Sequence, residues 1–315
     1  MSLKVFLKLV EIQTKIASLF PFLIGLLYVV HRYGGINILN TVVFFVSMLI
    51  FDMTTTAINN YMDYLKATMK HDFDYRKERN VIGQYNLSEK LVKITIWVML
   101  ISASLLGLWL VYLTHILILF IGMVCFFIGI FYTFGPIPLS RLPLGEVFSG
   151  VTMGFGITFL IIYVNSYHLG IFTSQMYESV LVFQIDLAGM GRIFLISLPS
   201  VLTIANLMLA NNICDLKEDI ANDRYTLPFY IGKKASIILF EVLYYVSYLA
   251  IIAAVVIGVY PLLMLLTLGT FILVGKNLVI FRAKQEKAKT FIVAVKNLVL
   301  INGSIVMCLA LSILL

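Results

Sequence analysis

The chain contains few charged residues for its length. Of its 315 residues, 12% are Asp, Glu, Lys or Arg, whereas 61% are apolar. The mean hydropathy is +1.00. A soluble domain has no need for so much apolar surface, because its solvated exterior must be polar. The composition therefore excludes a soluble fold and indicates a protein that crosses the membrane several times.

Cysteine is also scarce. The three cysteines, Cys125, Cys214 and Cys308, lie far apart in apolar stretches or at the ends of apolar runs. This spacing matches neither a metal-binding motif nor a disulfide framework. The sequence therefore gives no reason to expect a structure stabilised by cysteine chemistry.

Nine apolar segments are long enough to cross a hydrocarbon core of ~30 Å, which requires ~20 helical residues. They cover residues 12–30, 38–60, 92–113, 115–134, 144–164, 191–212, 236–258, 260–281 and 290–314. Similar segments follow the first one and no small-residue cleavage site is present, so we interpret it as a membrane helix rather than a signal peptide. The close spacing predicts an all-α bundle of nine transmembrane helices, forming one domain over residues 1–315.

Positive charges lie almost entirely in alternate connections between these segments. Of the 23 Lys and Arg residues, all but Arg32 and Arg192 fall on the same side of the nine-helix arrangement. The positive-inside rule then predicts a multi-pass protein of the cell membrane, with a cytoplasmic N-terminus and an external C-terminus. The net charge of +7 follows from this bias, so nucleic acid is not a predicted partner.

A polar motif follows the apolar run that ends at Ala210. It reads Asn-Asn-Ile-Cys-Asp-Leu-Lys-Glu-Asp from Asn211 to Asp219. Because residues four apart share a helix face, Asn211, Asp215 and Asp219 form one line of oxygen ligands. We expect this line at a wet helix end, where replacing Asp215 or Asp219 with Ala would cost little stability.

A related motif ends the second segment, where Asn59, Asn60 and Asp63 follow an apolar run. If the two helix ends face each other, they form a site for a hard cation. Mg²⁺ suits such a site, because it takes oxygen ligands and completes its shell with substrate phosphates. The candidate metal ligands are Asn59, Asp63, Asp215 and Asp219, with the three aspartates as candidate catalytic residues. Asp52 shares the face of Asn59 and Asp63, and is either functional or a hydrogen-bonded packing residue.

Cations lie close to these acids in the sequence. Lys66 follows Asp63, Lys217 lies inside the second motif, and Arg141 lies in a short inner loop with three prolines. A diphosphate needs metal ions to neutralise its charge and Lys or Arg to bind its outer oxygens. These three cations are the candidate diphosphate ligands. Candidate substrate contacts are Asn60, Asn211, Asn212 and Tyr132, whereas we interpret Glu146 as a helix-capping residue.

Two other readings of these residues remain open. Polar residues beyond a membrane helix end are often only solvated, and each lysine is also explained as an anchor on the cytoplasmic side. A cation transporter would use the Asp and Asn helix ends as an ion path. The third, seventh and ninth segments contain almost no polar residues beyond Ser, Thr and Glu241, which disfavours a transporter.

These motifs resemble those of the UbiA superfamily of intramembrane prenyltransferases, over the whole chain. Within it, the chain is most similar to the 1,4-dihydroxy-2-naphthoate polyprenyltransferases of menaquinone synthesis. Their second motif reads Asn-Asn-x-Arg-Asp-x-x-x-Asp, which corresponds to residues 211–219 here. The similarity extends to residues 224–227, to Gly135 and Pro136, and to residues 144–146.

The chain departs from the family pattern at both motifs. Asn60 stands in place of the first Asp of the first motif, and Ala67 and Met69 occupy positions where a later Asp is found. Asp72 or Asp74 could substitute for that acid. At the second motif, Cys214 replaces the usual Arg.

The resemblance implies a UbiA-like bundle with Asp-rich cytoplasmic helix ends, and an Mg²⁺-dependent activity. A polyprenyl diphosphate would bind through Mg²⁺, its lipid tail would lie in the bundle beside membrane lipid, and an aromatic ring would attack its allylic carbon. The implied acceptor is 1,4-dihydroxy-2-naphthoate, giving demethylmenaquinone. Another aromatic acceptor, or haem, is the alternative within the family.

Overall fold

Helices dominate the computed structural model, which describes residues 1–69, 80–132, 138–178, 180–221 and 223–315. For residues 66–69, 176, 177 and 181 it describes the backbone alone. The helices are α1 Leu3–Leu9, α2 Ile16–Tyr33, α3 Ile38–Met69, α4 Val81–Gln84, α5 Glu89–Leu113, α6 Leu117–Phe131, α7 Gly145–Ser149, α8 Ile157–Ser166, α9 Leu187–Ala221, α10 Leu227–Val256, α11 Phe271–Ala283 and α12 Ile292–Leu314. Helical turns of other types cover Ile12–Lys15, Leu139–Arg141, Gly150–Gly156, Tyr167–Leu169 and Leu262–Thr270.

Eight helical segments in the described residues are long and apolar enough to cross a membrane. They confirm eight of the nine predicted spans and the all-α membrane fold class. The fourth predicted span, residues 115–134, corresponds to α6, which has 15 residues. At 1.5 Å per residue α6 is roughly 22 Å long, shorter than a typical hydrocarbon core. The prediction of nine full spans is therefore approximate.

A β-hairpin interrupts the helices in the connection before α9. Its strands are β1 Phe172–Tyr177 and β2 Val180–Ile185, which pair antiparallel with Phe172 opposite Ile185. The Tyr163 hydroxyl at the end of α8 donates to the Phe172 carbonyl oxygen over 3.0 Å. The sequence prediction of helices alone missed this element.

The chain forms two compact units. One contains residues 1–16 and 38–138, and the other contains residues 17–37 and 139–315. In the first unit, α3 packs along α5. Its core includes Leu9, Tyr61 and Ile82. The prediction of a single domain over residues 1–315 stays a prediction.

The second unit is built around α9, which packs against α10, α12 and the helical segment Gly150–Gly156. Glycine permits the last contact, because a Cβ atom at Gly154 would lie 2.5 Å from the Val201 main-chain nitrogen. Small residues allow such close approach between membrane helices. The contact fixes the segment that leads from α7 against the helix that carries the second motif.

Arg32 and Arg192, the two cations predicted on the outer side, line one cavity of about 400 Å³ in the second unit. Arg192 also pairs with Asp186 over 3.5 Å. Both arginines therefore lie at one end of this unit, as the charge pattern predicts.

Candidate functional site

The second polar motif forms the last turns of α9. This helix has 35 residues, which corresponds to roughly 52 Å at 1.5 Å per residue. A hydrocarbon core of ~30 Å accommodates only part of that length. The helix is therefore long enough to carry Asn211 to Asp219 beyond the core without a break in its backbone.

The first two members of the predicted oxygen line bind one cation of the protein itself. The Lys287 ammonium group contacts Asp215 Oδ2 over 2.5 Å and also contacts Asn211 Oδ1. The predicted common face of Asn211 and Asp215 is thus confirmed. Lys287 belongs to the connection between α11 and α12 and was counted in the sequence only as an inner cation.

Asp219 lies in a different environment. It is only 5% exposed, and its carboxylate faces Arg224 Nε at 3.4 Å and Thr226 Oγ1 at 3.5 Å. The expectation that Asp219 lies at a wet helix end is therefore wrong. The side chain is covered because the chain reverses after α9 and folds back over it.

This reversal has a local cause. Asp223 adopts the left-handed conformation with φ 55°, which Asp tolerates better than most residues. The Arg224 amide then donates to the Asp219 carbonyl oxygen over 2.8 Å, as in a helix C-terminal cap of the Schellman type. The Arg224 side chain returns to the Asp219 carboxylate and also reaches the Ser140 carbonyl oxygen at 3.5 Å. Arg224 therefore connects the second motif to the loop that carries Arg141.

The other predicted diphosphate ligands differ in exposure. Arg141 ends the helical turn Leu139–Arg141 and is half-buried, whereas Lys217 on α9 is exposed. Within the described residues, neither side chain forms an ion pair. The side chain of Lys66 lies outside the described residues, as do Asp72, Asp74 and the loop that contains Gly135 and Pro136.

Glu146 contacts the second motif directly. It lies in the first turn of α7 but is 4% exposed, and its Oε1 atom accepts a hydrogen bond from Asn212 Nδ2 over 2.8 Å. Glu146 therefore lies at a helix start, as expected, but its carboxylate also points at α9. Glu146 Oε2 and Asn212 Oδ1 are buried without a hydrogen-bond partner among the described residues. The hydrogen-bonded pair of Glu146 and Asn212 therefore carries two buried acceptor oxygens.

The first motif lies on α3, in the other unit. Asn59 and Asp63 are half-buried there. The Asn60 amide donates to the Leu9 carbonyl oxygen over 2.9 Å and to Glu11 Oε1 over 3.2 Å. Asn60 therefore ties α3 to the N-terminal turn, and its role as a substrate contact stays a prediction. Tyr132, at the C-terminal end of α6, is half-buried.

Asp52 has a cationic partner that sequence reasoning missed. Lys15 is 6% exposed, and its ammonium group contacts Asp52 Oδ1 at 2.7 Å and Thr56 Oγ1 at 2.6 Å. A buried charge is strongly unfavourable unless it is paired. The pair explains how Asp52 is accommodated inside α3, so this residue is a partner of Lys15.

Oxygen ligands in the second motif are suited to a cation such as Mg²⁺. Asn211 and Asp215 already hold an ammonium group through an amide and a carboxylate oxygen, and these are oxygen types that Mg²⁺ binds. Glu146 Oε2 and Asn212 Oδ1 are further acceptor oxygens, buried without a hydrogen-bond partner among the described residues. Within the described residues, no group of three or more His, Cys, Asp or Glu side chains is close enough to hold a metal. That the two motifs face each other stays a prediction.

Comparisons with known proteins agree with the motifs. A curated relative, 1,4-dihydroxy-2-naphthoate octaprenyltransferase of Bacillus subtilis (strain 168), is 27% identical over 249 residues, which is 78% of this chain and 72% of that protein. A UbiA homologue from Aeropyrum pernix K1 superposes with a TM-score of 0.66 at 13% identity, covering 91% of this chain and 97% of that one.

A UbiA homologue from Archaeoglobus fulgidus, solved with DMAPP and Mg²⁺, gives a TM-score of 0.64 at 10% identity over 97% of this chain and 99% of that one. At such identities the solved structures show a shared fold. The model of the UbiA prenyltransferase family matches residues 18–301. This match covers both motifs and all but the ends of the chain, so the protein is a multi-pass membrane protein that belongs to the UbiA prenyltransferase family.

Proposed function

We propose that the protein transfers a polyprenyl group from a polyprenyl diphosphate to an aromatic acceptor, with Mg²⁺ as cofactor. One observation carries the proposal: two oxygens of the second motif converge on a cation, the Lys287 ammonium group. An arrangement that binds one cation through Asn211 and Asp215 is suited to binding another. Family membership supports the same reaction class, and a homologue solved with DMAPP and Mg²⁺ supports this cofactor.

The two motifs have complementary roles in this proposal. The metal ligands would be Asn59, Asp63, Asp215 and Asp219, the diphosphate ligands Lys66, Arg141 and Lys217, and the other substrate contacts Asn60, Asn211, Asn212 and Tyr132. Bound Mg²⁺ supplies neutralisation of the diphosphate and stabilises the charge that develops on the leaving group. The basic side chains bind the remaining diphosphate oxygens, and Arg141 can bind two of them at once.

We also propose a role for Glu146, which is to position Asn212. Its buried carboxylate is bonded to Asn212 and keeps one oxygen unpartnered among the described residues. Such an oxygen can accept a proton or a hydroxyl hydrogen bond. In the proposed reaction, Glu146 fixes the orientation of the Asn212 side chain and so keeps this residue of the second motif in a rotamer that can bind substrate.

The proposed acceptor is 1,4-dihydroxy-2-naphthoate, with demethylmenaquinone as the product. The name of the Bacillus subtilis relative supports this acceptor. Another quinone precursor or haem remains the alternative within the family. Membership of a family of prenyltransferases further disfavours a cation transporter.

The proposal places the reaction at the cytoplasmic face of the cell membrane. The charge bias puts both motifs and the N-terminus on that side and the C-terminus outside. The long apolar tail of the substrate remains in the membrane while the diphosphate reaches the helix ends. Single-cysteine labelling from either side of sealed vesicles would test this orientation.

The direct test incubates the purified protein with Mg²⁺, a labelled polyprenyl diphosphate and a panel of aromatic acceptors. We expect prenylation of dihydroxynaphthoate and release of diphosphate, both lost in Asp63→Asn and Asp215→Asn. Asp186→Asn is the matched control, because Asp186 pairs with Arg192, which lines the cavity at one end of the second unit. Absence of both prenylation and diphosphate release over the whole panel would contradict the enzyme assignment.

A further inference from the structure

The connection between α11 and α12 is a loop closed by hydrogen bonds, and it places Lys287 against the second motif. The Glu286 amide donates to Thr290 Oγ1 over 2.7 Å, and the Thr290 amide donates to the Glu286 carbonyl oxygen over 2.8 Å. Lys284 and Lys289 pair with the Glu286 carboxylate at 2.6 and 3.5 Å. The hydrogen bond from Lys284, with the nearby positive charges, holds the pKa of Glu286 below its usual range. These contacts close the loop on itself and leave Lys287 directed at α9.

Lys287 differs from the other two lysines of the loop. Lys284 and Lys289 are bound to a residue of their own loop, whereas Lys287 reaches across to Asn211 and Asp215. Its ammonium group also lies 5.2 Å from the centre of the Phe291 ring. A cation over an aromatic face is stabilised by the ring quadrupole. The Phe291 ring therefore stabilises the Lys287 ammonium group in the position from which it contacts Asn211 and Asp215.

The ammonium group and a metal ion compete for the same oxygens. Asp215 Oδ2 lies 2.5 Å from the Lys287 nitrogen, whereas an Mg²⁺ ion bound to that oxygen would lie ~2.1 Å from it. Two cations at such distances from one carboxylate oxygen repel each other strongly, by several kcal/mol even in a polarisable surrounding. The ammonium group therefore opposes metal binding at this oxygen.

We propose that Lys287 is an internal counter-ion of the substrate site. Before substrate binds, its ammonium group occupies the oxygens of Asn211 and Asp215 and neutralises the carboxylate. Lys287 would leave these oxygens to Mg²⁺ in the loaded site and would there bind a non-bridging oxygen of the diphosphate. The inference rests on the proposed function and adds to it a positioning and diphosphate-binding residue.

We expect loss of the Lys287 charge to change the affinities for Mg²⁺ and for diphosphate in opposite directions. Removing the positive charge should favour binding of Mg²⁺ alone, because a competing cation is lost. The same change should weaken binding of diphosphate in the presence of Mg²⁺, because one of its ligands is lost. A lysine that only fastens the loop to α9 would lower stability and leave both affinities unchanged.

The experiment measures the Mg²⁺ dependence of the melting temperature of the purified full chain, without substrate, and then repeats the titration with inorganic diphosphate at saturating Mg²⁺. In Lys287→Gln we expect the half-saturating Mg²⁺ concentration to fall about three- to tenfold, and that of diphosphate to rise by a similar factor. Lys287→Arg retains the charge and should restore most of the diphosphate affinity. Lys289→Gln is the matched control, since this lysine is 74% exposed and, among the described residues, pairs with Glu286 of its own loop.

Asp215→Asn distinguishes a failure of the counter-ion role of Lys287 from a failure of the metal site. If Mg²⁺ stabilises the wild type but not Asp215→Asn, while Lys287→Gln matches the wild type in both titrations, the counter-ion role of Lys287 is wrong and the metal site stands. If Asp215→Asn binds Mg²⁺ as the wild type does, the metal ligand and the counter-ion role both fail. Melting temperatures without Mg²⁺ identify any variant that is misfolded.

Discussion

The two aspartates of the second motif should respond differently to neutralisation. Asp219→Asn and Asp215→Asn each remove one negative charge from the same helix, four residues apart. Asp219 is covered by the turn after α9, whereas Asp215 retains 22% of its side-chain exposure and faces the loop of Lys287. We expect Asp219→Asn to destabilise the protein and Asp215→Asn to leave its stability nearly unchanged.

The magnitudes follow from the environment of each pair. Asp219 has Arg224 and Thr226 at 3.4 and 3.5 Å, and the Arg224 Nε atom is buried without a hydrogen-bond partner among the described residues. Losing the carboxylate leaves that guanidinium group without its counter-charge, which we expect to cost ~1–3 kcal/mol of unfolding free energy. The Asp215 pair involves a lysine that is 48% exposed, and such pairs contribute ~0–1 kcal/mol.

The assay is unfolding of the purified protein in detergent by heat or denaturant, without Mg²⁺. A double-mutant cycle with Arg224→Gln isolates the pair: if Asp219 and Arg224 stabilise each other, the double variant loses less than the two single variants together. Equal stability losses for Asp219→Asn and Asp215→Asn, or additive losses in the cycle, would refute the assignment of Asp219 to a covered ion pair. Activity should be lost in both single variants.

Three further predictions concern other parts of the chain. Arg141→Lys should raise the KM for the prenyl diphosphate several-fold and leave the acceptor KM unchanged, because Lys cannot bind two diphosphate oxygens in the planar geometry of Arg; wild-type kinetics would contradict this. Lys15→Met should lower the unfolding free energy by ~3–5 kcal/mol, because it leaves the Asp52 carboxylate without its ammonium partner, and the added change Asp52→Asn should recover much of the loss in the same denaturation assay. Gly154→Ala should cost ~1–3 kcal/mol in thermal unfolding, because the new methyl group meets the main chain of Val201, and an unchanged melting temperature would show that the two helices separate without cost.

The membrane helices were readable from the sequence because one physical requirement, a continuous apolar length, determines them. Helices α3 and α9 both continue past the predicted span ends, at residues 60 and 212, through the polar motifs. Because α9 continues through the second motif, Asn211 and Asp215, which are four residues apart, lie on a common face of the helix, as expected. The hairpin could not be predicted from apolar length, because two strands of six residues each are much shorter than a membrane span of ~20 residues.

Contacts between distant segments were not readable in this way. Lys287 is 72 residues from Asp215, and Lys15 is 37 residues from Asp52. Both lysines looked like anchors of the cytoplasmic side, which is the common use of lysine at membrane helix ends. Only the packing of the helices decides which lysines reach an acid, and the apolar pattern carries no information on that choice.

Three acids of the structure each have a basic partner within their own unit. Asp52 has Lys15, Asp215 has Lys287 and Asp219 has Arg224. Isolated carboxylates near a membrane are unfavourable, so these partners let the acids be present before any metal binds. Magnesium ions and a diphosphate largely cancel each other's charge when they arrive together. At the proposed site, bound Mg²⁺ would supply to Asp215 the positive charge that Lys287 supplies in the free protein, and Lys287 would pass to a phosphate oxygen, so the charge on this carboxylate would be balanced in both states.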